Sequence, residues 1–200
     1  MRRSKIGRNT NETKIKIELD LDSESENVID TGIGFFDHML NLFAFRAGVM
    51  LNIKCDGDLQ IDGHHTVEDI GIALGQAITQ ALGDKKGIAR YGSGRVPMDE
   101  SLAQVDLDIS NRPHLVFNAE FGDQRIGDGE KYRVGDFETE LVEEFFRALA
   151  TNSGMTLHIN LLYGKNTHHK IEAIFKAFGM AFGEAIRIIG TQVSSTKGVL

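Results

Sequence analysis

Apolar and polar residues alternate over Thr13 to Leu21, Val49 to Cys55, Leu102 to Ile109, Leu115 to Phe121 and Met155 to Leu161. A period of two predicts strands with one face buried. Four other stretches repeat their apolar residues every three or four positions, which predicts helices. Phe36 to Ala47 and Glu140 to Ser153 are closed by Gly48 and Gly154, the residue type that most readily takes the left-handed turn ending a helix. The other two run to about Leu82 and about Ile189. Val67, Ile70, Leu74, Ala77, Ile78 and Ala81 stripe the first; Ile171, Ile174, Phe175, Phe178, Phe182 and Ile186 stripe the second. Each half thus reads strand, strand, helix, strand, short strand, helix. The halves meet near Gly92 to Gly94, with 1–92 as one half-repeat and 93–200 as the other plus a C-terminal tail. Antiparallel strands covered by helices predict an α+β layered fold, one helical layer per sheet. Neither half buries enough surface alone, so the two are expected to form one folded unit.

The two halves are copies. His64-His65-Thr66-Val67-Glu68 returns 104 residues later as His168-His169-Lys170-Ile171-Glu172. Downstream, Ile70, Ala73, Gly75 and Ala77 correspond to Ile174, Ala177, Gly179 and Ala181. A helix turns about 100° per residue, so adjacent histidines diverge and do not easily grip one ion. A glutamate three or four positions on shares a face with each. One cluster therefore presents ligands in two directions, which suits two ions. Counting back ten residues from the helix stops Gly48 and Gly154 gives His38 and Glu144. Each half then offers four ligands: His38, His64, His65 and Glu68, and Glu144, His168, His169 and Glu172. Eight ligands on two ions leave each ion two open positions if six-coordinate. Imidazole and carboxylate without thiolate suit manganese, iron or zinc, and six-coordination leans towards manganese. A single histidine pair is usually a surface feature. Here five of seven histidines fall into one repeated pattern, and His114 and His158 are assigned structural roles.

Charge and composition narrow the partners. A net charge of -7 argues against general nucleic-acid binding. An anionic small substrate would need a local cluster of Arg and Lys. Cys55 is the sole cysteine, which excludes an intrachain disulfide and suggests a reducing compartment. The start, Met1 to Lys14, is polar and basic, unlike a secretory signal. No run approaches the roughly 18 apolar residues of a membrane span. The expected location is the cytoplasm.

These motifs resemble the imidazoleglycerol-phosphate dehydratase family of histidine biosynthesis, from about Arg8 to Leu200. The matching stretches are Arg8-Asn9-Thr10-Asn11-Glu12-Thr13, Gly34-Phe35-Phe36-Asp37-His38-Met39-Leu40 and Asp62-Gly63-His64-His65-Thr66-Val67-Glu68-Asp69. Further along stand Arg90-Tyr91-Gly92, Pro97-Met98-Asp99-Glu100, Arg112-Pro113, the second histidine doublet, Phe175-Lys176-Ala177-Phe178-Gly179 and Ser195-Thr196-Lys197-Gly198. The resemblance implies two duplicated halves, each a four-stranded sheet covered by two helices (ribosomal protein S5 domain 2-like). It also implies a homo-oligomer of 24 subunits, with two manganese ions per active site and each site built between neighbouring subunits. One ion would take His64, Glu144, His168 and Glu172, the other His38, His65, Glu68 and His169. Many members carry His where this chain has Glu144. Smaller departures are Asn111, where Gly commonly precedes the Arg-Pro pair, and Ser194, where Pro is common.

The implied reaction removes water from imidazole glycerol phosphate to give imidazole acetol phosphate. Its proton is weakly acidic and its leaving group poor. Cations on both ring nitrogens would favour the deprotonated imidazole, which could expel the neighbouring hydroxyl to give a diazafulvene-like intermediate. Loss of the adjacent proton and tautomerisation would complete the reaction. Glu12, which the resemblance places near the substrate diol, is the first candidate for proton transfer, and Glu172 the second. Arg90, Arg112, Lys176, Ser195 and Lys197 are the implied substrate-binding residues, chiefly for the phosphate, with Glu12 at the diol. The tail from Ser194 is expected to fold over the ligand. Two other classes are weighed against this reading. A dinuclear phosphatase would release phosphate but make no ultraviolet-absorbing ketone. A purely structural metal staple would show no activity and would disassemble on chelation.

Overall fold

A computed structural model describes residues 1–23, 25–121, 125–126 and 130–198. The first half contains β1 (Arg3–Asn9), β2 (Thr13–Asp20), β3 (Val28–Asp30), α1 (Gly34–Ala47), β4 (Met50–Gly57) and α2 (His64–Leu82). The second half opens with β5 (Tyr91–Met98), β6 (Ser101–Asp108) and β7 (His114–Asn118). Four two-residue strands follow: β8 (Arg125–Ile126), β9 (Glu130–Lys131), β10 (Arg133–Val134) and β11 (Phe137–Glu138). The half closes with α3 (Leu141–Ser153), β12 (Thr156–Tyr163) and α4 (Thr167–Ala185).

The two large sheets share one topology. Their strand orders are β1-β2-β4-β3 and β5-β6-β12-β7. In each, three strands run antiparallel and the last edge pair, β3 with β4 or β7 with β12, is parallel. The duplicated α+β architecture is therefore as expected, but the element order differs: the short third strand precedes the first helix of its half. β3 spans three residues, too few for a period of two to register.

Two first strands also escape the pattern, for a physical reason. β5 turns Gly92 and Gly94 towards α4, where an added Cβ would lie 1.9 Å from the carbonyl of Ala181 and 2.1 Å from that of Ala177. Its inner face packs by having no side chain there, so alternation cannot reveal it. β1 buries Ser4 and half-buries Ile6 and Arg8, a face too polar to read as apolar. At the other end, α4 stops at Ala185, short of Ile189. There the chain turns to pair with residues 87–90: Arg90 N donates to Ala185 O at 2.9 Å and Ala89 N to Arg187 O at 2.8 Å.

The helices lie between the sheets, α2 against β1 and β2, α4 against β5 and β6. Glycines set the approach of the halves. A Cβ on Gly71 would sit 2.8 Å from Phe145 O, and one on Gly75 2.8 Å from Leu149 O. Likewise Gly179 faces Phe43 O at 2.6 Å and Gly183 faces Ala47 O at 2.8 Å. Rising numbers meet rising numbers, so α2 runs parallel to α3 and α4 parallel to α1. Stacked rings tie the pairs together. Phe36 meets Phe145 edge-on at 5.2 Å, Phe145 stacks on Phe175 at 5.6 Å, and Phe43 on Phe178 at 4.9 Å. All are buried. These contacts gather the four helix N-termini at one end of the molecule.

Candidate metal centre

Every candidate ligand belongs to the first two turns of a helix: His38 on α1, His64, His65 and Glu68 on α2, Glu144 on α3, and His168, His169 and Glu172 on α4. Parallel helices therefore carry all eight to the same end. Within one chain, His38, His168 and Glu172 come closest, with one ligand atom from each within 4.8 Å of the others. His168 Nε2 lies 3.1 Å from Glu172 Oε2, and His38 Nε2 3.7 Å from the same oxygen. The Phe35 ring packs edge-on against His168 at 5.1 Å. This trio takes His38 from one implied ligand set and His168 and Glu172 from the other.

Glu172 is buried, and its second oxygen holds Lys176 Nζ at 2.5 Å. Burial pushes its carboxyl pKa up, but the Lys176 ammonium, aided by His168 and His38, overcomes that and leaves it below the ordinary value. Lys176 thus sits with the histidine cluster and not with the other candidate cations. Its Nζ also reaches Met98 Sδ at 3.5 Å.

The second histidine of each doublet is held by a carboxylate. His65 Nδ1 lies 3.0 Å from Asp58 Oδ2, and His169 Nδ1 2.8 Å from Glu100 Oε2. These bonds raise the pKa of both imidazoles. The opposite nitrogens face two further carboxylates, His65 Nε2 to Glu12 at 3.7 Å and His169 Nε2 to Asp99 at 3.8 Å. Glu12 and Asp99 each occupy the hairpin turn between the first two strands of their half. Asp58, Asp99 and Glu100 were not among the expected site residues. Pro97-Met98-Asp99-Glu100 was visible as a motif, but nothing in its spacing ties it to His169.

Glu12 is half-exposed on the β1–β2 turn, which Thr10 closes by accepting from the Glu12 and Thr13 amides at 3.1 and 2.9 Å. Beneath it lies a buried anchor. Asp69 accepts from Arg8 Nη2 at 2.7 Å and from the Thr13 hydroxyl at 2.5 Å. This fastens the hairpin to the helix carrying His65. Glu144 pairs with Arg147 at 3.8 Å. His64 lies with its ring 6.4 Å from that of His65.

The remaining cations occupy a separate place. Arg90, Tyr91, Ser110, Arg112 and Ser194 to Lys197 line a cavity of 950 Å³. Asp108 grips Arg90 at 2.6 and 3.0 Å, Ser194 O accepts from its Nη1 at 2.7 Å, and its guanidinium lies 4.7 Å over the Tyr91 ring. Arg112 is more exposed and reaches Asp108 at 3.4 Å. Lys197 N donates to Ser195 Oγ at 3.2 Å, and the tail lines this cavity from Ser194 to Lys197. Asn111 has φ of 57°, a left-handed conformation that Asn tolerates, and its side chain accepts from the buried Lys85. The Arg90 amide is bonded at the last turn of α4, whereas His168 stands in its first. At 1.5 Å per residue, roughly 25 Å separate the cation cavity from the histidine cluster of the same chain.

The donor set suits a borderline or hard divalent cation. The family model for imidazoleglycerol-phosphate dehydratase matches residues 31–182. The chain is 56% identical to the imidazoleglycerol-phosphate dehydratase of Streptococcus mutans over 202 residues, covering 100% of both. It is also 56% identical to that of Acetivibrio thermocellus over 203 residues, covering 100% of this chain and 99% of that one. Among solved structures it resembles the Staphylococcus aureus enzyme, with TM-score 0.79 and 46% identity over 92% of this chain and 98% of that one. The enzyme of Pyrococcus furiosus in complex with (S)-C348 gives TM-score 0.80 and 37% identity over 98% and 100%.

Proposed function

The chain belongs to the imidazoleglycerol-phosphate dehydratase family, a hydro-lyase family of histidine biosynthesis, and we propose that it converts imidazole glycerol phosphate to imidazole acetol phosphate and water with two manganese ions per site. The observation that carries this reading is the convergence of His38, His168 and Glu172 at the helix N-termini of a chain with full-length family identity. His38, His64, His65, Glu68, Glu144, His168, His169 and Glu172 would hold the ions. When bound, manganese would supply positive charge at the substrate's ring nitrogens and lower the pKa of the imidazole.

The chain's own residues do the rest. The Arg90 and Arg112 guanidinium groups, with Lys197 and the Ser195 hydroxyl, grip the phosphate in the 950 Å³ cavity. Glu12 stands beside His65 Nε2 on an anchored hairpin, half in solvent, and would carry the proton from the side-chain carbon. Glu172 is held as a carboxylate by Lys176, a state that favours ligation over proton shuttling. Lys176 would keep that carboxylate in place.

An imidazole joined to phosphate by three carbons cannot bridge roughly 25 Å within one chain. The phosphate grip of one subunit would therefore serve the metal ligands of another, in keeping with the 24-subunit assembly that the family resemblance implies. Phe45, Ile61, Tyr163 and Ile189 are exposed in the isolated chain and suit burial between copies. None of the described helices is long and apolar enough to cross a membrane; a biosynthetic family and a lone free cysteine support a cytoplasmic location as part of this proposal. The test is metal content per chain alongside ultraviolet-detected ketone formation. Two manganese per chain with turnover, both lost in His168→Ala, is the expected result. Phosphate release without ketone would identify a phosphatase instead.

A further inference from the structure

We propose that Asp58 and Glu100 are positioning residues that fix the tautomer of His65 and His169, presenting each Nε2 to a metal ion. The inference rests on the metal reading above and adds the groups that orient two of its ligands. A carboxylate is only an acceptor, so the ring nitrogen facing it must carry the proton. Asp58 faces His65 Nδ1 at 3.0 Å and Glu100 faces His169 Nδ1 at 2.8 Å. In the neutral rings both lone pairs therefore lie on Nε2. Carboxylate–histidine–metal relays of this kind fix ring orientation and raise ligand basicity.

Inheritance does not explain the pairing. Duplication copied the histidines, yet the residue that corresponds to Asp58, the first after the matching strand β12, is Gly164. Asp58 comes from the segment after β4, Glu100 from the hairpin between β5 and β6. The two halves supply the same group to the same nitrogen from different loops. Shared need accounts for that; shared descent does not. Among the described residues, the Asp58 carboxylate bonds to no other side chain. Glu100 has an additional duty, since its Oε1 accepts from Lys165 N at 3.1 Å and Asn166 N at 2.7 Å, fastening the loop before α4.

The test measures manganese affinity of the assembled protein by competition with a fluorescent chelator. Asp58→Ala should weaken one ion by roughly 10–100-fold, while Asp58→Asn, which keeps an acceptor oxygen, should recover most of it. Melting of the metal-stripped protein should be unchanged in Asp58→Ala. For Glu100→Ala, whose loop contacts also change, a double-mutant cycle separates the roles: in a His169→Ala background it should cost no further affinity. The same holds for Asp58→Ala in His65→Ala. Wild-type affinity in Asp58→Ala while His65→Ala loses an ion would overturn the inference and leave the metal reading standing. Full additivity in both cycles would also overturn it. Retention of both ions by His65→Ala and His169→Ala would overturn the metal reading, and this inference with it.

Discussion

Asp69→Ala should release the hairpin that carries Glu12 and lower stability by an amount the geometry bounds. Asp69 is buried and serves two donors, Arg8 at 2.7 Å and the Thr13 hydroxyl at 2.5 Å. Thr13 is 1% exposed, so losing its acceptor strands a buried hydroxyl, a cost of about 1–3 kcal/mol. The Arg8 side chain is 32% exposed and can turn to water, which limits its share to about 0–1 kcal/mol. The Thr10 hydroxyl, 3.3 Å from that of Thr13, offers partial relief. The sum is about 1–4 kcal/mol, centred near 2 kcal/mol. Thr13→Val removes the donor and leaves Asp69 its arginine, so it should cost about 1 kcal/mol. In the double variant neither partner is stranded, and its cost should fall below the sum of the singles by about 1 kcal/mol. Urea unfolding of metal-stripped protein at matched subunit concentration measures all three. An Asp69→Ala midpoint matching wild type, or strict additivity, would refute the anchor.

A mixture of two inactive variants should regain activity if the site spans subunits. His168→Ala and Arg112→Ala, co-assembled in equal amounts, should recover up to about a quarter of wild-type rate; no recovery would place both groups in one chain's site. Gly75→Val at the α2–α3 contact, where a Cβ would sit 2.7 Å from Asn152 Cβ, should destabilise by about 1–3 kcal/mol or more by overpacking, read as a lower melting temperature. Burial, with help from Asp56 and Asp69, pushes the Cys55 thiol from 9.0 up to about 11. The folded state thus favours the neutral thiol: this contribution is complete below pH 9 and is lost as pH rises through 11. Native protein at pH 8 should resist a thiol-reactive dye for hours, while urea-unfolded protein reacts at once. Glu144→His should still bind metal with altered preference between manganese and zinc, measured by competition; unchanged preference would remove Glu144 from the ligand shell.

Both the duplication and the ligand candidates were legible because histidine and glutamate at helical spacing keep their pattern in any fold. Which of them meet was not. That His38 approaches His168 and Glu172 follows from Gly179 and Gly183 letting α4 close on α1, a relation between elements far apart in the chain. The inner strands β2, β4, β6 and β12 announced themselves by alternation; β5 did not, since glycine against α4 is its packing solution. Within one chain Lys176 lies with Glu172 while Arg90 and Arg112 lie at the far end of α4, so the three can share a phosphate only across a subunit contact. A helix's length separates them, and no motif spacing encodes which end a loop returns to. Asp58 and Glu100 were invisible for a related reason: partners drawn from unlike loops leave no repeat.

The exchange of helices between halves bears on the molecule's history. Each half lends its second helix to the other's first, α2 to α3 and α4 to α1, through two glycine notches apiece, of which Gly75 and Gly179 correspond. A progenitor of half this length would have had those notches facing solvent unless two molecules embraced. Joining two such molecules into a single polypeptide would free each copy to diverge at its outer loops while the shared seam stays shut.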